Sequence, residues 1–247
     1  MSTPLLRLDD VTKTYQEGDA ERAVLRGVSL TIEPGAFVVL MGRSGAGKST
    51  LLNLVSGIDL PTSGRIAVDG TEFTELSETE RTLFRRQHIG FVFQSFNLIS
   101  TLTVAENVLL PLELSGTATG EARERAQAVL AHVGLGDRGD SFPDRLSGGE
   151  QQRVAVARAL AHDPLFVLAD EPTGNLDYET GQQVLTLLGD LVRDTDTTLL
   201  VATHDRTVLD RADRTLTLHN GTLHDRLPEF LSDGGPQPTP EGATPDA

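Results

Sequence analysis

Short apolar runs recur along the chain, spaced as the strands of an α/β protein would be. Polar or glycine-containing segments separate these runs, as expected for strands that are largely buried. The predicted strands are LLRLDDV (5–11), FVVLM (37–41), RIAVDG (65–70), IGFVF (89–93), LFVLAD (165–170), TLLVAT (198–203) and TLTLHNG (215–221). Helical patterns lie between several of them, which favours a mostly parallel sheet covered by helices.

The segment from about residue 94 to residue 145 departs from this alternation. It contains TVAENVLLPLEL and EARERAQAVLAHVGL, whose apolar residues recur at helical spacing, and it has no strand-like run. We therefore expect a small α-helical subdomain inserted in the α/β body. The tail SDGGPQPTPEGATPDA (232–247) is rich in Pro, Gly and acidic residues without periodicity, so we expect it to be disordered. Residues 1–231 then form one folded domain.

Net charge limits the partners that the chain is expected to have. The 247 residues carry a formal net charge of −15, and the only lysines are Lys13 and Lys48. Such a surface lacks the basic face that nucleic-acid binding requires, so we expect no nucleic-acid partner. An acidic, lysine-poor surface is typical of proteins from salt-accumulating halophiles, although an ordinary acidic cytosolic protein remains the alternative.

Cysteine content and hydropathy exclude further classes of protein. With no Cys, the chain has no disulfide, thiolate metal site or cysteine nucleophile, so any metal must be held by oxygen ligands. No apolar run approaches the roughly 18 residues that cross a bilayer, and MSTPLLRLDD lacks the features of a signal peptide. These observations predict a soluble, intracellular protein.

A glycine-rich loop follows the predicted strand FVVLM. GRSGAGKS (42–49) satisfies the pattern G-x-x-x-x-G-K-[ST], and the helical run TLLNLVSG comes soon after it. Glycines let the backbone curl until successive N–H groups point at phosphate oxygens, and the helix adds its positive N-terminal end. We predict that Lys48 reaches the β- and γ-phosphates of a nucleotide and that the Ser49 hydroxyl binds Mg²⁺. The flanking strand and helix disfavour the alternative, a simple glycine turn.

An acidic pair ends the predicted strand LFVLAD. Asp170 and Glu171 lie at the carboxyl edge of the sheet, where α/β proteins bind ligands, and neighbouring strand positions point to opposite sides. We therefore predict different roles, with Asp170 in the Mg²⁺ shell and Glu171 orienting or deprotonating the attacking water. Alone, such a pair is as often a solvated turn, but the P-loop upstream favours the catalytic interpretation.

Two further polar residues end predicted strands. Gln94 follows IGFVF and His204 follows TLLVAT, so both are expected on the sheet edge that holds the phosphate. The Gln94 amide can contact Mg²⁺ and the attacking water, and His204 can hydrogen-bond the γ-phosphate. A lone histidine is more often structural or solvated, but the joint pattern favours function.

A second stretch, LSGGEQQR (146–153), also begins a predicted helix. Ser147, Gly148 and Gly149 at its start offer N–H groups and a hydroxyl to an anion. Two such cradles share one nucleotide only if they approach it from opposite sides. The sequence therefore predicts a head-to-tail homodimer in which this helix start of one copy closes over the ATP of the other. A plain serine N-cap is the alternative, and it leaves two exposed glycines unexplained.

Together these motifs resemble, in order and approximate spacing, those of the ATP-binding subunits of ABC transporters, over residues of about 5 to 225. The motifs that carry the resemblance are GRSGAGKST, Gln94, LSGGEQQR, LADEP, GNLD and His204. It implies an α/β P-loop NTPase cassette with a mostly parallel sheet core, an antiparallel β region and an inserted α-helical subdomain. It also implies ATP and Mg²⁺ as cofactors.

The resemblance implies a role for each matching residue. The Walker A positions that bind nucleotide would be Gly42, Ser44, Gly45, Ala46, Gly47, Lys48, Ser49 and Thr50. The remaining positions would be the Q-loop Gln94, the signature motif 146–150, the Walker B Asp170, the catalytic Glu171, the D-loop Asp177 and the switch residue His204. Tyr15 matches the aromatic residue that stacks on adenine, and a core or surface tyrosine is the alternative.

Within that family, GFVFQSFNLISTLTVAENVLLPLELSG and ADEPTGNLD resemble the branch that serves lipoprotein release, macrolide and peptide export and a cell-division complex. This implies an ATPase on the inner face of the cell membrane that drives a separate permease by export or by transmitting force. The candidate surface for the permease includes Phe96, Leu98, Ile99 and Leu102, unless these residues simply pack the helical subdomain.

The chain departs from the usual pattern of this branch at two P-loop positions. Arg43 and Ala46 stand where proline and serine are more common, and neither side chain is essential to the phosphate cradle. A non-transport ABC ATPase, such as a DNA-repair or translation factor, is the alternative function. Such proteins usually carry two cassettes or a long coiled-coil insertion, and this chain has neither.

Overall fold

A computed structural model describes residues 3–18 and 20–225, so the tail predicted at 232–247 lies outside the described residues. The strands are β1 (Leu6–Glu17), β2 (Ala20–Ile32), β3 (Phe37–Met41), β4 (Ser63–Val68), β5 (Thr71–Glu72), β6 (Ile89–Phe93), β7 (Phe166–Asp170), β8 (Thr198–Thr203), β9 (Arg214–His219) and β10 (Thr222–His224). The α-helices are α1 (Lys48–Val55), α2 (Glu78–His88), α3 (Val104–Leu114), α4 (Thr119–His132), α5 (Gly148–Leu160) and α6 (Tyr178–Asp194). Short 3₁₀ helices span Phe73–Glu75, Pro143–Arg145 and Arg206–Arg211.

The strands form two sheets of different character. One has the order β10-β9-β3-β8-β7-β6, and all of its neighbouring strands are parallel except the β10–β9 hairpin. The other has the order β2-β1-β4-β5 and is antiparallel throughout. The mostly parallel core with an antiparallel region is therefore confirmed.

The parallel sheet has a hydrophobic core on each side. Every residue of β3 and of β8 is buried, as expected for central parallel strands that are covered on both faces. Successive β3 residues alternate between the two cores, with Val39 in the core beneath the helices and Val38 in the core beneath the antiparallel sheet. This arrangement fixes the end of β3, where the glycine-rich loop begins.

Helices α3 and α4 occupy much of the segment 94–145, and this segment contains no strand. Val108 of α3 and Leu130 of α4 are fully buried in the same core as β3 and α5. The Thr103–Glu106 capping box begins α3, because each side chain hydrogen-bonds the backbone N–H of the other residue. The helical segment therefore packs directly against the α/β body.

Several strand predictions need correction. Strands β2 and β5 were not predicted, although buried Val28, Leu30 and Ile32 alternate with exposed positions in β2. The first predicted strand, 5–11, is too short, because β1 continues to Glu17. The run 215–221 is not one strand, because the Asn220–Gly221 turn has positive φ at both residues and joins β9 to β10. The run 65–70 ends early, since β4 stops at Val68. None of the helices in residues 3–18 and 20–225 combines the length and apolar character needed to cross a membrane.

Candidate nucleotide site

The order of the parallel strands brings the predicted site residues to one edge of the sheet. Strands β3, β8, β7 and β6 are consecutive neighbours, and each is followed by predicted site residues at its carboxyl end. The site residues that line one open cleft of about 780 Å³ are Tyr15, Ser44, Gly45, Gly47, Lys48, Ser49, Thr50, Gln94, Asp170, Glu171 and His204. Two P-loop positions lie outside it, since Gly42 is buried beside Leu218 and Ala46 lines an adjacent cleft.

The glycine-rich loop leaves the start of α1 open. Gly47 is the N-cap of this helix, has a φ of 103° and provides no side-chain cap for the first turn. A Cβ at Gly47 would also lie 3.0 Å from Val24 Cγ1. Only glycine fits this position without strain, and the uncapped N–H groups of the first turn are donors for phosphate oxygens.

Lys48 lines the cleft, although only 7% of its side chain is exposed. Its ammonium nitrogen donates to the Gly42 carbonyl oxygen at 2.9 Å and lies 3.1 Å from Glu171 Oε1. The lysine is therefore already paired with a carboxylate at the position where the sequence predicts a phosphate partner.

Glu171 is held from several directions. Its Oε2 accepts from Thr203 Oγ1 at 3.0 Å and lies 2.9 Å from His204 Nδ1. Burial raises the pKa of Glu171, but hydrogen bonds with His204 and Lys48 outweigh that effect and leave the pKa below its usual value. A lowered pKa keeps the carboxylate ionised, which is the form that a general base requires.

Asp170 contrasts with its neighbour. Burial raises the pKa of Asp170, a hydrogen bond with Ser49 lowers it by less, and Oδ1 is buried without a hydrogen-bond partner among the described residues. The two acids do point to different places, but strand alternation is not the reason. Strand β7 ends at Asp170, and Glu171 already has a left-handed φ of 45°.

Gln94 and Tyr15 also line the cleft, and each has a polar partner outside the P-loop. The Gln94 amide nitrogen donates to Asn175 Oδ1 at 3.4 Å, and Asn175 Nδ2 donates to the Gln94 carbonyl oxygen at 3.0 Å. The Tyr15 hydroxyl donates to Asp59 Oδ2 at 2.9 Å, and Lys13 Nζ lies 4.9 Å from the centre of the Tyr15 ring. The adenine-stacking role of Tyr15 stays a prediction.

The helix start at Ser147 does not line this cleft. Ser147 and Glu150 form a capping box, in which the Glu150 N–H donates to Ser147 Oγ at 3.3 Å and the Ser147 N–H donates to Glu150 Oε2 at 2.8 Å. The prediction of two exposed glycines is wrong for Gly149, which is buried. A Cβ there would lie 2.4 Å from Thr180 Cγ2, so close packing accounts for this glycine.

Asp177 lies beside the same helix start and outside the cleft. Its carboxylate caps α6 by accepting from the Thr180 N–H at 3.0 Å. A Cβ at Gly148 would lie 3.3 Å from Leu176 Cδ2, so the two helix starts are in contact. Within the described residues, the predicted nucleotide contacts therefore fall into two separate groups.

Sequence reasoning missed four residues with a place in or beside the site. Arg22 and Val24 line the cleft from β2, a strand that was not predicted, and Arg22 pairs with Tyr15 across the antiparallel ladder. Thr203 holds Glu171, and only its place at a strand end could have identified it. The Gln152 amide of α5 donates to the Pro172 carbonyl oxygen at 2.6 Å, which links the helix behind Ser147 to the backbone next to Glu171.

Comparison with known proteins agrees with this geometry. The ABC transporter family profile matches residues 25–174. An uncharacterized ABC transporter ATP-binding protein of Mycobacterium tuberculosis is 53% identical over 220 residues, or 89% of each chain. The lipoprotein-releasing system ATP-binding protein LolD of Legionella pneumophila is 44% identical over 226 residues, covering 92% of this chain and 100% of that protein.

Two further similarities extend to a larger protein and to a solved structure. The macrolide export ATP-binding/permease protein MacB of Brucella melitensis is 47% identical over 220 residues, which are 89% of this chain but 34% of that protein. The ATP-binding cassette MJ0796, in a dimeric post-hydrolysis state bound to ADP and phosphate, superposes with a TM-score of 0.82 at 42% identity. That match covers 89% of this chain and 98% of the MJ0796 chain.

Proposed function

The chain belongs to the ABC transporter family as an ATP-binding subunit with ATPase activity, and we propose that it works as a head-to-tail homodimer around two ATP molecules. One observation carries this proposal. The P-loop, both acids and His204 share one cleft, whereas Ser147 and Gly148 lie outside it on the same chain. A second copy that approaches the open cleft supplies the missing helix start, and by symmetry receives the same contact in return.

The starts of α1 and α5 differ in a way that fits their proposed roles on opposite sides of the nucleotide. The N–H groups at the start of α1 have no side-chain cap and hold the β- and γ-phosphates from inside the cleft. At the start of α5 the capping box satisfies Ser147 and Glu150, and the N–H group of the partly exposed Gly148 remains to face an anion of the second copy. The start of α5 therefore offers fewer free N–H groups than the start of α1, as expected for a group that only completes a site formed by another chain.

ATP binding changes the partners of Lys48. The ammonium group that pairs with Glu171 turns to phosphate oxygens, which leaves Glu171 held by Thr203 and His204. The hydrogen bond with His204, the largest of the interactions that lower the pKa of Glu171, stays in place, and the ionised carboxylate accepts a proton from the attacking water. His204, with 73% of its side chain exposed on the cleft, is free to hydrogen-bond the γ-phosphate from its other ring nitrogen.

The oxygen atoms near the P-loop fit a magnesium ion. Asp170 Oδ1 is buried without a partner, and the Ser49 hydroxyl lies within hydrogen-bonding reach of the same carboxylate. Gln94 lines the same cleft, and its amide oxygen would add to this set of hard oxygen donors, which Mg²⁺ prefers. When bound, Mg²⁺ neutralises charge on the β- and γ-phosphates.

We also propose that closure of the dimer drives a separate membrane permease from the inner face of the membrane. LolD is a separate ATP-binding protein of a lipoprotein-releasing system, and this chain covers its whole length. ATP binding favours the closed pair and hydrolysis resets it, so the helical segment moves with each cycle. Export and force transmission both fit this description.

An apolar groove on the helical segment fits the permease contact. Phe91, Ile99, Leu110 and Leu114 line it, and Ile99 and Leu114 are among the exposed apolar side chains. Of the surface predicted from sequence, only Ile99 lines this groove, whereas Leu98 packs against the core. Leu114→Glu should abolish co-purification with the permease and preserve basal ATPase activity, and exposed Ile58→Glu is the matched control. Retained binding in Leu114→Glu would contradict the groove assignment.

The dimer proposal is tested with Glu171→Gln. This substitution keeps the side-chain shape and removes the base, so hydrolysis should fall by roughly 10²- to 10⁴-fold while ATP still binds. Gel filtration with ATP and Mg²⁺ should then show a persistent dimer, and a matched run with ADP should show monomer. Hydrolysis at the parental rate would contradict the role of Glu171, and a monomer with bound ATP would contradict the homodimer.

A further inference from the structure

A second cleft, of about 650 Å³, adjoins the nucleotide cleft along the P-loop and is rich in basic groups, of which Arg22 and Arg43 line both clefts. Arg22, Arg26, Arg43 and His219 line it together with the backbone of the P-loop. Among the described residues that line it there is no Asp or Glu, although the whole chain carries a net charge of −15. This concentration of basic side chains points to an anionic partner.

The arginine positions are fixed by the elements next to the P-loop. Arg22 and Arg26 flank Val24 on β2, and Val24 packs against Gly47. Arg43 is the second residue of the P-loop, in a position that directs its exposed side chain into the cleft. The side chains of Arg26 and Arg43 make no hydrogen bond or ion pair with the described residues. Guanidinium groups in such an arrangement bind carboxylates in a bidentate manner.

A suitable acidic segment lies next to the helix start at Ser147. Asp177, Tyr178 and Glu179 begin α6, and Thr180 of the same turn packs on Gly149. Tyr178 is 72% exposed, the highest value among the exposed large apolar side chains, and Glu179 has no hydrogen bond or ion pair through its side chain within residues 3–18 and 20–225. Because this segment packs against the helix start at Ser147, both must approach the same surface of a partner.

We propose that the arginine cleft of one copy binds the Asp177–Glu179 segment of the second copy, with Arg43 and Glu179 as the central ion pair. This inference rests on the proposed head-to-tail dimer, in which Ser147 of one copy reaches the P-loop of the other. The acidic segment next to Ser147 then arrives beside the P-loop, where the arginine cleft lies. The Tyr178 ring contributes a face on which a guanidinium group can stack.

The pairing answers a physical difficulty of this dimer. Two copies that each carry a charge of −15 repel one another, so an approach without local attraction is slow and poorly oriented. A basic cleft facing an acidic segment attracts locally and sets the register of the two copies. It also gives a role to Arg43, which departs from the usual P-loop residue at that position.

Charge reversal tests the pair in the Glu171→Gln background, where ATP-bound dimers persist. Arg43→Glu alone places two acids opposite each other at both contacts of a dimer, and Glu179→Arg alone places two bases there. Each should raise the dimer dissociation constant about tenfold or more, as measured by sedimentation with ATP and Mg²⁺. ATP binding to each monomer is measured in parallel, so that an effect of Arg43 on the nucleotide itself is separated.

Mixing the two reversed chains gives the decisive result. A mixed dimer contains the original pair at one contact and the reversed pair at the other, so both contacts are attractive. Differently tagged Arg43→Glu and Glu179→Arg chains should therefore form mixed dimers, counted by native mass spectrometry, at least about tenfold in excess of either homodimer. Arg123→Glu and Glu124→Arg on α4 are the matched controls and should mix statistically.

Three outcomes would overturn the inference. Statistical mixing of the reversed chains would show that Arg43 and Glu179 do not meet across the interface. Weakening by Arg43→Glu without weakening by Glu179→Arg would assign the cleft to another acidic segment, including that of residues 226–247. If a chain that carries both reversals dimerises normally while the two singly reversed chains mix only statistically, Arg43 and Glu179 pair within one copy and not across the interface. If the parental Glu171→Gln chain forms no dimer, the proposed function fails first, and that result is distinct from all three.

Discussion

The two helix starts that we propose bind anions differ in how their first turns are capped. Helix α1 begins after Gly47, which has a left-handed backbone and no capping side chain, and its N–H groups open into the cleft. Helix α5 begins after Ser147, whose capping box with Glu150 satisfies part of its first turn within the chain. A start without a side-chain cap depends on a ligand for its missing hydrogen bonds, and a capped start does not.

In our account, this difference lets the start of α1 hold phosphate alone, whereas the start of α5 cannot. Lys48 and the acids that follow β7 surround the start of α1, so charge and catalytic groups are already assembled there. The start of α5 has packing partners in Leu176 and Thr180 but no cation or base of the catalytic set. In our account it acts only when a second copy presents it to a bound nucleotide.

The largest effect is expected from closing the open start with a side chain. Gly47→Ala forces a left-handed residue, at about 1–2 kcal/mol, and places its Cβ 3.0 Å from Val24 Cγ1. ATP affinity of the monomer, measured by calorimetry, should fall at least about tenfold, since 1.4 kcal/mol is a factor of ten. Gly148→Ala, whose Cβ would lie 3.3 Å from Leu176 Cδ2, is the matched change at the other start and should leave monomer affinity unchanged. Equal losses in both variants would remove the distinction between the two starts.

The capped start should lose stability when its cap is removed. Ser147→Ala deletes the hydroxyl that accepts from the Glu150 N–H, at a cost of about 1 kcal/mol in the free energy of unfolding. Denaturant titration without nucleotide measures this change, and Ser44→Ala in the P-loop is the control with no helix cap to lose. An unchanged unfolding free energy in Ser147→Ala would mean that the capping box is not formed in solution.

A smaller and pH-dependent effect is expected at Glu150. Its hydrogen bond with the Ser147 N–H is the main reason why the pKa of Glu150 lies below its usual value. A carboxyl with a lower pKa in the folded state stabilises the fold above its unfolded pKa, and this contribution is lost as pH falls through the folded value. The difference in melting temperature between the parental chain and Glu150→Gln should therefore stay constant from pH 7 to about pH 5 and narrow as the pH falls further, to about pH 3. A difference that does not narrow would contradict the ionised capping box.

Salt should have the smallest effect on the comparison between the two helix starts, because it changes the melting temperature of the parental chain and of Ser147→Ala equally. If the acidic surface is a halophilic adaptation, screening of its self-repulsion should raise the melting temperature as KCl increases from about 0.1 M to above 1 M. Because this repulsion belongs to the whole surface, Ser147→Ala and the parental chain should rise in parallel. A flat or falling melting temperature would return the charge to the alternative interpretation of an ordinary acidic protein.

The sequence predicted the parts of the site that depend on strand order and motif. FVVLM and IGFVF coincide with β3 and β6, because short apolar runs between polar segments are typical of buried strands. The gathering of Lys48, Asp170 and His204 in one cleft follows from the carboxyl ends of neighbouring parallel strands. These features are local in sequence, so motif and periodicity are enough to find them.

What the sequence did not predict depends on long-range contacts. The pairing of Lys48 with Glu171 and the tight approach of Gly149 to Thr180 join residues far apart in the chain, and no spacing indicates them. Arg22 was missed because β2 is exposed along its first half and lacks a continuous apolar run. The sequence S-x-x-E at Ser147, by contrast, is a capping-box pattern that could have been recognised.

The most direct test of the account is complementation between two inactive chains. Lys48→Ala removes the phosphate contact of the open start, and Ser147→Arg blocks the capped start that serves the other copy. A mixed dimer then has one doubly damaged site and one intact site, and roughly half of the dimers are mixed when equal amounts pair at random. ATPase activity should return to about a quarter of the parental value if sites act independently, with ATP-dependent dimer formation read alongside. If mixing restores neither hydrolysis nor dimer closure while subunit exchange is verified, each Ser147 serves its own chain and the head-to-tail account is wrong.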